Sequence, residues 1–217
     1  MNACIFDLDG TLTDTLASLT YSVNETLKEM GLSPITAEQC RSFVGNGARV
    51  LIEKALAAVG LPDKSRLLEG MEIYGRIFDA NCTYLVTPYE GVRDMLVKMK
   101  EQGMKLGVLS NKPHRQTVKV VREIFGEGMF DCVQGQQEGI ARKPDPEGVY
   151  RLMDALKVSK EECLYVGDSE VDIQTGKNAG VRTIGVAWGF RTREILEAAG
   201  AEMIIDTPVE LMGARNL

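Results

Sequence analysis

Short apolar runs rich in β-branched residues recur along the chain at Ala3 to Phe6, Leu106 to Leu109, Cys132 to Val133, Leu164 to Val166, Thr183 to Val186 and Met203 to Ile205. Between most of them the apolar positions fall at helical spacing. Val92, Met95, Leu96 and Met99 mark one stripe within Gly91 to Gln102, and similar stripes occupy Gln116 to Ile124, Pro146 to Leu156 and Arg193 to Ala198. Strands and helices in alternation predict an α/β fold on a parallel sheet. Ligands in such sheets bind beyond the carboxyl ends of the strands, where this pattern puts Asp7, Ser110 and Asp168.

The stretch from Thr15 to Cys82 breaks the alternation, offering helical periodicity and no convincing strand. Leu16, Leu19, Val23, Leu27 and Met30 form a stripe that ends at Gly31; Val50, Leu51, Lys54, Ala55 and Ala58 form another, ended by Gly60-Leu61-Pro62; Leu67 to Phe78 supplies a third. This predicts a helical unit inserted into the α/β core: residues 1–14 and 83–217 form the core, and 15–82 a helical cap domain acting as a lid. No internal repeat or low-complexity segment interrupts the pattern.

Composition narrows the function classes. The 217 residues are 44% hydrophobic and 26% charged, ordinary for a soluble globular protein with a sizeable core. A net charge of −6 without a Lys/Arg block argues against a nucleic-acid surface. No apolar stretch approaches the roughly 20 residues of a membrane span, and the start Met-Asn-Ala-Cys-Ile-Phe-Asp lacks a basic segment followed by a signal-length apolar one. A cytoplasmic protein with no membrane partner is expected. Five scattered cysteines without a Cys-x-x-Cys fit reduced, mostly buried thiols.

The candidate chemistry begins where the first apolar run stops, at Asp7-Leu8-Asp9-Gly10-Thr11. Residues two apart in a strand share a face, so Asp-x-Asp delivers two acids to one spot. Two acids that close repel unless a cation joins them. Mg²⁺ is commonly held by one or two carboxylates together with waters and substrate phosphate, so the pair suggests a metal-dependent phosphoryl site. A plain Asp-Gly turn is the simpler alternative. Three later segments decide between them by putting suitable groups near strand ends or helix starts: Leu109-Ser110-Asn111-Lys112, Arg142-Lys143-Pro144-Asp145-Pro146, and Val166-Gly167-Asp168 running on to Asp172.

In order and spacing, these four motifs resemble those of the haloacid dehalogenase superfamily, and the resemblance covers the whole chain. It implies a Rossmann-like parallel sheet core with an inserted α-helical cap domain, and phosphomonoester hydrolysis assisted by Mg²⁺. Asp7 would be the nucleophile, forming an aspartyl-phosphate, and Asp9 the acid and base for the leaving group and water. Gly10 would let the backbone approach the phosphate and Thr11 would hydrogen-bond near it, though both also suit a plain turn. Ser110, with Asn111 beside it, would contact phosphoryl oxygens, or else cap the helix near Pro113. Lys143 would neutralise the transferring charge. Asp7, Asp168 and the backbone carbonyl of Asp9 would hold the metal, with Asp172 behind them holding a metal-bound water or orienting Lys143. Asp14 would organise the crossing to the cap, or simply cap a helix. A dehalogenase has no Asp at the position of Asp9, which sets dehalogenation aside.

Gly45-Asn46-Gly47 with Arg49 resembles the cap loop of the phosphoglycolate phosphatase-like subgroup, making these residues candidates for substrate contact and phosphoglycolate the leading substrate. Gly135-Gln136-Gln137-Glu138-Gly139 departs from the Gly-Asp or Gly-Gly common in relatives. A β-phosphoglucomutase-like phosphotransferase, a pyrophosphatase or a nucleotidase stays open. A phosphonate hydrolase would need a cap lysine forming a Schiff base, and Lys54 has no supporting signature. A catalytically silent binding module would usually lack Asp7, Asp9 or Lys143. The expected partner is a small phosphorylated metabolite, and the expected state a monomer or homodimer.

Overall fold

The computed structural model describes residues 1–62 and 65–214. The chain divides into two compact units, Thr15–Val86 and Met1–Asp14 with Thr87–Leu217.

The first unit is helical: α1 (Leu16–Glu29), α2 (Ala37–Phe43), α3 (Ala48–Ala58) and α4 (Leu67–Asn81). On α1 the apolar Leu19, Val23 and Leu27 are buried beside the hydroxyl residues Ser18, Ser22 and Thr26. Ser18 donates to the Asn81 carbonyl of α4 at 2.8 Å and Thr26 to that of Ser22, one turn back, at 2.7 Å, whereas the Ser22 hydroxyl is buried without a partner among the described residues. A capping box of Thr36 and Gln39 starts α2, a helix the apolar spacing did not predict. The buried face of α3 is rotated from the expected stripe. Leu51, Ile52, Ala55 and Leu56 point inward and Lys54 is exposed, because the larger Ile and Leu side chains gain more from burial than Val50 or Ala58. Gly70 of α4 makes room for this face, since a Cβ there would sit 3.0 Å from Ile52.

The second unit carries the strands β1 (Ala3–Phe6), β2 (Thr13–Asp14), β3 (Thr87–Pro88), β4 (Lys105–Pro113), β5 (Cys132–Gln136), β6 (Cys163–Gly167), β7 (Arg182–Val186) and β8 (Ile204–Ile205). Its helices are α5 (Val92–Glu101), α6 (His114–Phe125), α7 (Glu147–Leu156), α8 (Glu170–Ala179), α9 (Arg193–Ala198) and α10 (Glu210–Ala214). Among the described residues, six strands form a sheet in the order β5-β4-β1-β6-β7-β8, and its pairings are parallel. The α/β class expected from the alternating runs is the one observed. β2 and β3 form a separate antiparallel ribbon too short for periodicity to reveal, and Asp14 sits in it paired with Thr87.

Every residue of β1 and of β6 is buried, as expected when helices cover both faces of a parallel sheet. Ala3, Ile5, Leu109, Val149, Leu152, Leu156 and Tyr165 share one core cluster. From β1 the chain builds outward through β4 to β5, then returns past β1 to β6. The switch point therefore lies between β1 and β6, where ligands of such sheets bind. Phe6 pairs with both Val108 and Val166, so Asp7 and Asp168 leave the sheet along one edge, beside Ser110 of β4. No described helix is long and apolar enough to cross a membrane.

Candidate active site

The first motif folds as a tight turn around one carbonyl. Leu8 accepts from the amides of Thr11, Leu12 and Thr13 at 3.4, 3.1 and 3.0 Å and from the Thr13 hydroxyl at 3.1 Å. The Asp7 amide donates to Val166 at 2.9 Å, which keeps Asp7 in step with β6. Gly10 has φ +92°, and a Cβ on it would collide with the Asp168 carboxylate. Gly189 closes on Asp168 from the other side, where a Cβ would strike both the Asp168 Cβ and the Gly10 carbonyl.

Lys143 is the hub. Its ammonium donates to Asp7 Oδ1 and to Asp172 Oδ1, both at 2.7 Å, and its side chain is 4% exposed. Asn111 fixes the Lys143 backbone, accepting from its amide at 3.0 Å and donating to its carbonyl at 3.1 Å. The Lys143–Pro144 peptide bond is cis. Asp172 is held in turn: the Tyr165 hydroxyl donates to Oδ1 at 3.0 Å, and the Ser169 hydroxyl and amide donate to Oδ2 at 2.6 and 3.2 Å. Ser169 also caps α8. Asp168 accepts from the Thr11 hydroxyl at 2.9 Å and the Phe190 amide at 2.8 Å. Carboxylate oxygens of Asp7, Asp168 and Asp172 lie within 4.8 Å of one another.

Three buried acids against Lys143 leave an excess of negative charge. Burial lifts the Asp7 carboxyl well above the usual range, Asp172 and Asp168 add repulsion, and Lys143 pulls only part of the way back. Asp168 is pushed up to about 7 by burial and Asp172, against the donors Phe190 and Thr11. Burial alone would lower Lys143, but Asp172 and Asp7 outweigh it and hold the ammonium well above the ordinary lysine range. Burial likewise raises the Tyr165 phenol, keeping it a neutral donor. A cluster of hard oxygen donors that resists full ionisation suits a divalent cation such as Mg²⁺.

The structure joins Asp7, Lys143 and Asp172 by ion pairs, with Asp168 beside them in the acid cluster, and gives several neighbours partners that the sequence did not show. Ser110 and Asn111 lie within β4, at a register irregularity between Leu109 and Pro113, and not beyond its end. They do not cap α6, whose start has no side-chain cap. The Thr11 hydroxyl, expected near a phosphate, is directed at Asp168; its carbonyl accepts from the Trp188 indole at 3.0 Å. Asn111, expected beside the phosphate, directs its amide at the Lys143 backbone. Ser110 accepts from the Lys112 amide at 3.2 Å, which leaves its own proton to donate. Asp9 sits apart from the acid cluster and accepts from the Lys112 ammonium at 2.7 Å.

Lys112, Tyr165, Gly189 and Phe190 have no role assigned from the sequence, although Lys112 ends the second motif and a Tyr inside an otherwise apolar central strand was a usable signal. In the helical unit, Gly45 and Gly47 have φ of +122° and +84° around Asn46, and Arg49 is exposed in the first turn of α3.

Residues 4–186 match the haloacid dehalogenase-like hydrolase family. A phosphoglycolate phosphatase of Pseudomonas putida is 32% identical over 206 residues, 93% of this chain and 75% of that protein. That of Aquifex aeolicus is 33% identical over 190 residues, 88% and 86% of the respective chains. A crystal structure from Lactobacillus delbrueckii subsp. bulgaricus, provisionally assigned as a phosphoglycolate phosphatase, superposes with a TM-score of 0.93 at 33% identity, covering 99% and 98% of the two chains. CbbY from Rhodobacter sphaeroides, solved in complex with phosphate, gives a TM-score of 0.83 at 25% identity and 100% coverage of both. With a family match over most of its length and relatives about one-third identical across it, the chain belongs to the haloacid dehalogenase-like hydrolases, and its relatives include phosphoglycolate phosphatases.

Proposed function

We propose that the protein is a Mg²⁺-dependent phosphatase that hydrolyses a small phosphomonoester, phosphoglycolate first, through an aspartyl-phosphate on Asp7. The observation that carries this reading is the buried Asp7–Lys143–Asp172 chain, with contacts of 2.7 Å, beside a separately held Asp9. The Lys143 ammonium works against the burial that raises Asp7, and a bound cation would add to it, favouring the ionised carboxylate that acts as nucleophile; a second acid held apart is free for proton transfer.

The Asp7 carboxylate attacks phosphorus, a new O–P bond forms, and the bond to the leaving oxygen breaks as Asp9 gives that oxygen a proton. Asp9 then takes a proton from water, whose oxygen attacks the same phosphorus; the bond to Asp7 breaks, and phosphate leaves. Lys143 offsets the charge carried by the phosphoryl oxygens, and Ser110 donates its hydroxyl to one of them. Asn111, Tyr165 and Ser169 hold Lys143 and Asp172 in place. Asp7, Asp168 and the Asp9 carbonyl would hold Mg²⁺, which supplies further positive charge to the phosphate when bound. Gly45, Asn46, Gly47 and Arg49 are the substrate-selecting candidates in the helical unit.

Phosphoglycolate is favoured by the relatives from Pseudomonas putida and Aquifex aeolicus, which are phosphoglycolate phosphatases, and a phosphorylated ligand by the complex of CbbY with phosphate. The test is a kcat/KM ranking of phosphoglycolate, pyrophosphate, nucleoside monophosphates and hexose phosphates with Mg²⁺, repeated with Asp7→Asn. Phosphoglycolate should lead, and the variant should lose roughly 10³-fold or more. Another leading substrate would overturn the substrate, and ordinary turnover by Asp7→Asn would overturn the mechanism.

A further inference from the structure

The site holds two buried lysines, and they are assigned to different acids. Lys143 serves Asp7 and Asp172, whereas Lys112 reaches Asp9 Oδ1 at 2.7 Å with side chains only 2% and 12% exposed. Lysine is almost never fully buried unless paired, so this ammonium has a defined place.

Its backbone is fixed as well. The Lys112 amide donates to Ser110 Oγ at 3.2 Å and its carbonyl accepts from Thr117 Oγ1 at 3.1 Å. Gly135 packs so closely that a Cβ would lie 2.6 Å from the Lys112 carbonyl and 2.7 Å from the His114 Cα. The flexible side chain thus starts from an anchored point and ends on Asp9. The turn around Leu8, by contrast, is closed by backbone groups and the Thr13 hydroxyl, and the Asp9 carboxylate takes no part in it. Lys112 is the side chain that orients Asp9.

We propose that Lys112 is a positioning residue for proton transfer: it holds Asp9 by Oδ1, so that Oδ2 is the oxygen that delivers the proton to the leaving group and later receives one from water. This rests on the acid and base role given to Asp9 above. The role predicts a dependence on the leaving group that a merely structural or phosphate-binding lysine would not show. A 2,4-dinitrophenolate departs without a proton, whereas an alkoxide needs one.

The experiment compares kcat/KM of the wild type and Lys112→Met on 2,4-dinitrophenyl phosphate, p-nitrophenyl phosphate and phosphoglycolate, alone and combined with Asp9→Asn. The expected loss is roughly 10- to 100-fold on the alkyl phosphate and only a few-fold on the dinitrophenyl ester, with no further loss once Asp9→Asn is present. Lys112→Arg should recover part of the alkyl activity, and Lys112→Gln serves if the Met variant does not fold. Equal loss on all three esters, or a full additional loss in the Asp9→Asn background, overturns the proposal. A wild type inactive on all three overturns the phosphatase reading together with it, while normal wild-type turnover without the leaving-group effect overturns the Lys112 role alone.

Discussion

Asp168→Asn removes one charge from the acid cluster while leaving its two donors satisfiable, because an Asn amide oxygen can accept from Phe190 and its NH₂ can face the Thr11 hydroxyl. In the metal-free protein the Asp168 carboxyl is raised from 3.8 to about 7, chiefly by burial and Asp172. A raised acid favours the folded state when protonated. Its contribution is fully present below the unfolded value near 3.8 and is lost as the pH climbs through about 7. Asp7, also raised by burial, acts in the same sense. At roughly 1.4 kcal/mol per unit, the Asp168 shift alone amounts to a few kcal/mol, or on the order of 10 °C in melting temperature for a chain this size. A bound divalent cation favours the ionised form and so should restore this stability only at high pH. The assay is thermal melting of metal-stripped protein at pH 5, 6, 7 and 8, with and without Mg²⁺, for the wild type and the variant. The wild type should lose stability from pH 5 to 8 relative to Asp168→Asn, and Mg²⁺ should recover most of the loss at pH 8 and little at pH 5. A Mg²⁺ increment equal at both ends of the range, or a variant that parallels the wild type throughout, would refute the reasoning.

Asn111→Ala leaves both backbone polar groups of a buried Lys143 without their partner, so unfolding free energy should fall by about 2 kcal/mol or more in urea melts, with kcat lowered more than KM is raised. Gly189→Ala forces a Cβ against the Asp168 Cβ and the Gly10 carbonyl, neither of which can swing aside; a loss of roughly 1–3 kcal/mol should appear together with weaker Mg²⁺ stabilisation. Tyr165→Phe removes one donor to Asp172 and keeps the ring, so stability should fall by about 1 kcal/mol while steady-state activity drops far less than in Asp7→Asn.

What could be read from the chain divides along a physical line. The sheet was legible because a buried parallel strand is nearly all apolar, and the segment Ala3 to Phe6 coincides with β1 to the residue. Helices with a wide apolar stripe were legible too, whereas α8 was not among the predicted stripes: its middle carries Gln174, Thr175 and Gly176, and the helix packs closely enough on β7 that a Cβ at Gly176 would collide with Thr183. In α3, periodicity predicted the helix but misplaced its buried face, because two adjacent stripes overlap at Leu51 and Ala55 and tertiary packing, including that of Ile52 on Gly70 of α4, chose between them.

The site divides in the same way. Asp7, Lys143, Asp168 and Asp172 could be named as neighbours because charged residues at strand ends and helix starts have few places to go in an α/β sheet, and the four are now joined by contacts or lie within one acid cluster. A sequence shows a donor's type but not which acceptor wins. Thr11 and Asn111 both lie at the expected edge, yet Thr11 turns to a carboxylate, where a charge-assisted bond is stronger than a neutral one, and Asn111 satisfies both backbone groups of one residue. Lys112 is the sharpest case. By sequence it ends the Ser110-Asn111-Lys112 motif with no acceptor indicated; the break in the ladder between Leu109 and Pro113 sets it in a strand end, and close packing at Gly135 pins its backbone. Its ammonium thereby becomes the partner of Asp9, dividing two lysines among three acids so that Asp9 is held apart from the acid cluster. That division gives Asp9 a cation of its own while Asp7 and Asp172 share one, a pairing that residue order alone does not specify.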